Sequence, residues 1–149
     1  MMGVRPARPE EAPLLSALAF RSKSYWPYPK NQIEEYKSEL EVFTEDILSG
    51  SVFVLEVDQS VVGFYSLSSD TQKQRLYFLF VEPSSIGRGY GKKLWLHAVS
   101  KAKERGWKSL SFYADSYAVE AFYKYQGCQV IGSLPSDLGP LIEMVFEIS

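Results

Sequence analysis

Apolar positions change their spacing several times along this chain, and each change marks an element. Residues 4–6 read as a short strand, after which Leu14, Leu15 and Leu18 share one face at helical spacing. Glu10 and Glu11 put negative charge at the start of that helix, where the macrodipole favours it. Pro13 must lie in its first turn, since deeper inside it would break the helix. Pro27 and Pro29 stop it and leave Tyr25-Trp26-Pro27-Tyr28-Pro29 as a rigid aromatic loop. A second helix is expected over residues 32–40 and a short third over 45–48, ended by Gly50.

From Val52 the period becomes two. Residues 52–57 and 61–67 are apolar strands separated by Asp58-Gln59-Ser60, a hairpin length. Residues 75–81 add a third run, and the three predict an antiparallel meander. A glycine-rich turn over 86–91 then opens a long helix ending near Arg105-Gly106. Its stripe is Tyr90, Leu94, Trp95, Ala98, Val99 and Ala102, and His97 falls opposite it, on the side expected to face solvent. Residues 110–114 form a strand, with Asp115-Ser116 as the N-cap of a helix over 117–126 and Gly127 just past its end. Strands over 129–132 and 141–148 close the chain. The order predicts an α/β (α+β) domain over 1–149, with a mixed, mostly antiparallel central sheet of six to seven strands flanked by helices.

Composition narrows the classes. A length of 149 residues, with 46% hydrophobic and 23% charged positions, fits one ordinary globular domain. Cys128 is the only cysteine, so neither an intrachain disulfide nor a multi-cysteine zinc site can form; no metal is expected, and a reducing cytoplasm fits. A formal charge of −2 gives no footprint for nucleic acid. The densest apolar run, Leu76 to Val81, is far shorter than the roughly 20 residues a membrane helix needs. The N-terminus lacks the apolar core of a signal peptide. The sequence does not set the oligomeric state and leaves a homodimer open.

The first chemistry lies in Gly87-Arg88-Gly89-Tyr90-Gly91-Lys92, between a strand and a helix. Successive main-chain N–H groups there can point at one anion, helped by the positive end of the helix dipole. Glycines keep side chains out of a phosphate's way, while Arg88, Lys92 and Lys93 add positive charge. A Walker loop is excluded because no Gly-Lys-Ser or Gly-Lys-Thr occurs. A dinucleotide fingerprint starting at Gly87 would need a small residue where Lys92 stands. It would also need more chain after the turn than remains to complete a parallel sheet.

Val81-Glu82-Pro83, followed by Ile86-Gly87-Arg88-Gly89-Tyr90-Gly91, resembles the acetyl-CoA signature of the GNAT superfamily of N-acyltransferases. That pattern is Gln or Arg, two residues, Gly, one residue, then Gly or Ala. Gly89 and Gly91 match, and Ile86 stands in the Gln/Arg place. Downstream, Phe122-Tyr123-Lys124-Tyr125-Gln126-Gly127-Cys128 is similar to the family's Tyr-x-x-x-Gly-Phe segment, with Cys128 in place of Phe. The Asn that often begins that helix is missing, with Asp115, Ser116 and Tyr117 in its neighbourhood. Arg21-Ser22-Lys23-Ser24-Tyr25-Trp26 resembles, more weakly, a stretch in a bacterial subgroup of the family.

The resemblance implies a sheet splayed between strands four and five and transfer of acetyl from acetyl-CoA to a primary amine of a small molecule. It implies that residues 86–92 (Ile86, Gly87, Arg88, Gly89, Tyr90, Gly91 and Lys92) hold the pyrophosphate and that an N–H near Phe80 or Val81 binds the carbonyl oxygen. Tyr123 is then the general acid near the sulfur. The acceptor is expected between the aromatic loop and the loop over 134–140, with Arg21, Trp26 and Tyr77 in contact. Arg21 or Lys23 would pair with an anionic group on that acceptor. No base is evident: relatives often carry an acid early in strand four, where this chain has Arg75-Leu76-Tyr77. Glu34, Glu35 and Glu41 read as solvated helix charges, and a water chain could carry the proton. The alternative is an acyl-CoA-binding or sensor domain without turnover.

Overall fold

The computed structural model describes residues 1–136 and 138–149. Two antiparallel sheets carry the chain. The first has the order β1-β2-β3-β4, from β1 (Met2–Pro6), β2 (Val52–Val57), β3 (Ser60–Leu67) and β4 (Leu76–Val81). The second has the order β5-β7-β6, from β5 (Ser109–Asp115), β6 (Gln129–Leu134) and β7 (Leu141–Glu147). Helices α1 (Ala12–Ser24), α2 (Lys30–Tyr36) and α3 (Thr44–Leu48) link β1 to β2; α4 (Tyr90–Glu104) and α5 (Ser116–Ala121) flank β5 in the chain. The β2–β3 turn is one residue tighter than the spacing predicts, because Asp58 and Gln59 both adopt positive φ.

The runs in β2 and β3 are continuous because the first sheet is covered on both faces. Val52, Val54 and Phe64 pack with Leu15, Leu18, Ala19, Leu40 and Ile47 under α1–α3. Phe53, Leu55 and Tyr65 turn the other way, onto Leu94, Trp95, Ala98 and Ala102 of α4, in a core that also takes in Leu110, Phe112 and Met144 of the second sheet. Gly63 marks a close crossing, where a Cβ would sit 2.8 Å from both Leu94 Cδ1 and Phe80 O.

The expected splay lies between β4 and β5. The two touch at their beginnings, where Arg75 forms a parallel bridge with Ser111 and the Ser111 N–H donates to Gln74 O at 3.0 Å. Gln74 Oε1 also accepts from the Lys108 and Ser109 amides at 2.6 and 3.1 Å. Beyond that knot no further bridge joins the two sheets among the described residues.

Three local expectations are corrected. The segment expected as one helix over 117–126 divides into α5 and a 3-10 turn, Tyr123–Gln126, broken at Phe122 (φ −141°, ψ −61°). Asp115 stands at the N-cap position of α5 but its side chain makes no capping hydrogen bond; its Oδ1 accepts instead from Lys23 of α1 and from Tyr28 of the loop after it. His97 is half-buried: its Nδ1 lies 2.7 Å from the Tyr65 hydroxyl, and its ring packs on Phe53. That pair closes the side of α4 that periodicity alone assigns to solvent.

Candidate active site

The split opens into a cavity of about 690 Å³. Its walls come from β4, the glycine turn, the ends of β5 and α5, the Tyr123–Gln126 turn, and the end of α1 with the loop behind it. Among the sequence-derived candidates, Trp26, Tyr77, Phe80, Val81, Ile86, Gly87, Gly89, Tyr90, Gly91, Lys92 and Tyr123 line it, whereas Arg21 and Arg88 do not. None of the described residues of the 134–140 loop lines it, and Asp137 of that loop lies outside the described residues.

Register decides what β4 offers. The Glu82 N–H donates to Val62 O at 2.8 Å, and an antiparallel ladder bonds every second residue. Phe78 and Phe80 therefore direct their main-chain groups at β3, while Tyr77, Leu79 and Val81 direct theirs into the split. Of the two amides expected near the carbonyl oxygen, Val81's faces the cavity and Phe80's is turned into the sheet.

At the mouth, the amides of residues 87–92 have no acceptor among the described residues; the first main-chain bond of the new helix is Lys93 N–H to Gly89 O, at 3.2 Å. Gly87 and Gly89 hold φ of +90° and +80°, and space is open where a Cβ would stand on either. Gly91 serves packing: a Cβ there would meet the Phe122 ring at 3.4 Å. This geometry fits a diphosphate, which needs several converging donors and no intruding side chain.

Tyr123 is buried between rings, with Phe112 at 4.6 Å, Phe122 at 5.0 Å and Trp95 at 5.9 Å between centroids. Burial, with smaller contributions from Cys128 and Asp115, pushes its hydroxyl well above the ordinary tyrosine value, so it keeps its proton. Cys128 sits in the core beneath, its thiol pushed up by burial to about 12.

The two cations expected to greet an anionic acceptor are both engaged. Arg21 forms a double hydrogen bond with Glu82, at 2.7 Å to each oxygen. Lys23, only 4% exposed, is ion-paired with Asp115. Sequence reading missed this buried pair, along with Tyr28 bonded to it and Tyr117 stacked on Trp26. A signal was present: Leu15, Ala19 and Lys23 repeat at i, i+4, which puts a lysine on the buried face of α1. Nothing in the local pattern named its partner.

A sheet split beside a strand–glycine turn–helix cradle defines an acyl-CoA N-acyltransferase fold. The Acetyltransferase (GNAT) family model matches residues 18–128. The chain belongs to this family and is a GNAT N-acetyltransferase, as the motif resemblance implied. It is 32% identical to the peptidyl-lysine N-acetyltransferase YjaB of Salmonella typhimurium, over 98% of this chain and 99% of the relative. In fold it matches a GCN5-related N-acetyltransferase from Rhodopseudomonas palustris, with a TM-score of 0.84 and 24% identity over 97% of this chain and 94% of the other. It also matches the PaiA N-acetyltransferase of Thermoplasma acidophilum, solved with coenzyme A, with a TM-score of 0.81 and 21% identity over 99% of both chains.

Proposed function

We propose that this protein transfers acetyl from acetyl-CoA directly to a primary amine, with the diphosphate on the amides of residues 87–92 and the pantetheine arm along the open edge of β4. The observation that carries the reading is that these amides and that edge have no partner among the described residues and border one cavity. Arg88 and Lys92, exposed beside the cradle, add charge for the phosphates. The Val81 N–H is the donor for negative charge that builds on the carbonyl oxygen; a preorganised donor in such a place is commonly worth about 10²–10³ in rate. Tyr123 is the proton donor to the departing thiolate, a role supported by its buried, protonated hydroxyl at the cavity wall.

Tyr77 and Trp26 border the acceptor's path. The acceptor is a primary amine on an aliphatic stem, in a small molecule or, as the name of the YjaB relative suggests, on a lysine side chain. Release of free thiol from acetyl-CoA, followed over a panel of amines, tests the reading. Thiol release that depends on the amine supports it. Stabilisation by acetyl-CoA without release from any amine supports a sensor domain instead.

A further inference from the structure

That reading leaves unassigned the charged and aromatic side chains joining the end of α1 to the end of β5. The Lys23 ammonium donates to Asp115 Oδ1, and the Tyr28 hydroxyl donates to the same oxygen at 2.7 Å. The ring centroids of Tyr28 and Tyr36 lie 5.4 and 5.1 Å from Lys23 Nζ. Trp26 stacks on Tyr117 at 5.5 Å, which pins the aromatic loop to the first turn of α5. Fastening α1 to β5 does not require charges, because a buried ion pair is seldom more stable than apolar packing of similar volume.

The bonds on Asp115 are unevenly shared. Among the described residues, Oδ1 takes both donors and Oδ2 takes none. Among the described residues no side-chain polar atom sealed from solvent lacks a partner, so Oδ2 is open, on a residue that lines the cavity. A carboxylate has about four accepting positions, and this one keeps those of a whole oxygen for an incoming group. Among the described residues, the charged ones lining the cavity are Lys23, Glu39, Lys92 and Asp115, and Lys92 belongs to the glycine turn. The opposite end thus presents two carboxylates against one ammonium, amid Tyr25, Trp26 and Tyr77. Such a recess favours a cation on an alkyl stem over an anion. Asp115 is also among the charges that act on the Tyr123 hydroxyl, whereas Glu39 stands exposed on the turn after α2.

We propose that Asp115 Oδ2 receives the ammonium of the acceptor, with Lys23 and Tyr28 as positioning residues, and that the acceptor is an alkylammonium without a carboxylate or phosphate near its amine. The held ammonium gives one proton to solvent and attacks the thioester carbonyl as the free amine; the carbon–sulfur bond breaks as the carbon–nitrogen bond is completed, Tyr123 protonates the departing sulfur, and the second proton lost from nitrogen restores the Tyr123 hydroxyl. The proposal rests on the acyl-transfer reading and replaces the expectation of an acceptor held through Arg21 or Lys23.

Initial rates of thiol release with Nα-acetyl-lysinamide and with 4-aminobutyrate test it, on the wild type, Asp115→Asn, the paired variant Lys23→Met/Asp115→Leu, Tyr28→Phe and Glu39→Gln. The paired variant leaves no lone buried charge, and thermal shift with acetyl-CoA checks that each variant folds and binds. The wild type is expected to prefer the lysinamide. The two Asp115 variants should keep their acetyl-CoA response while the amine KM rises roughly 10- to 100-fold, the loss expected of one charged hydrogen bond. Tyr28→Phe should raise the amine KM less and leave the acetyl-CoA KM unchanged, a split that a general loosening of the fold would not give. An unchanged amine KM in the folded paired variant overturns the assignment, as does a loss in Glu39→Gln equal to that of the Asp115 variants, or a preference for 4-aminobutyrate. Acetyl-CoA binding with no thiol release from any amine overturns the acyl-transfer reading itself, and this assignment with it.

Discussion

Tyr123 combines a ring locked between Phe112, Trp95 and Phe122 with a hydroxyl that burial keeps protonated. A tyrosine needed only for packing would tolerate loss of its oxygen; a proton donor would not. Tyr123→Phe is expected to retain the fold and acetyl-CoA affinity while kcat falls by about 10²–10⁴, the usual worth of a positioned acid. Steady-state kinetics beside a thermal melt separates the two roles. His97 gives a second prediction at this scale. Burial first, then Lys101, lowers its pKa below the ordinary histidine value, with Glu104 opposing. The unfolded chain therefore binds the proton more readily than the native one. The stability contribution is complete above the ordinary histidine pKa of about 6.5 and is lost as pH falls through the lower native value. Melting temperature between pH 7 and 5 should fall more steeply for the wild type than for His97→Gln; equal slopes would assign the acid limb to other groups.

β4 and the glycine turn work as one element, and Gly63 on the neighbouring strand sets their position. With Leu94 Cδ1 and Phe80 O both 2.8 Å from where a Cβ would stand, Gly63→Ala must push α4 or β4 outward. Overpacking of this kind costs about 1–3 kcal/mol, which denaturant melts would register. Because Leu94 lies one turn into the helix that carries the cradle, acetyl-CoA affinity should weaken in the same variant. The glycine turn itself was readable: its residues, the strand before it and the helix after it could be placed by period and composition. The break at Phe122 was not, since the apolar pattern continues across it and the backbone turns there to seat Tyr123 among rings from α4 and β5. Asp115 shows the same limit. As a polar residue before a helix it reads as a cap, yet a lysine far away in sequence claims its carboxylate.

Across the whole molecule, the two sheets touch at the Gln74 knot and then part, and the cavity occupies the space between them. A ligand spanning the split should stabilise both halves together. At 100 times its Kd, acetyl-CoA should raise stability by about 2.7 kcal/mol, seen as one cooperative transition at higher temperature. Two separate transitions, with only one moving, would show that the halves unfold independently. No described helix is long and apolar enough to cross a membrane.

Hydrophobic period, helix stops and glycine spacing are local properties, and they sufficed for the element order, the antiparallel meander and the strand–turn–helix that forms the cradle. Those features follow from how neighbouring residues share a backbone, so the sequence alone determined them. Which β4 amides face the gap depended on register with β3. Which charges remain free depended on partners distant in sequence: Arg21 meets Glu82, and Lys23 meets Asp115. Only tertiary structure could decide these points, because hydrogen bonds and ion pairs form between whatever side chains the packing of the two cores brings within reach.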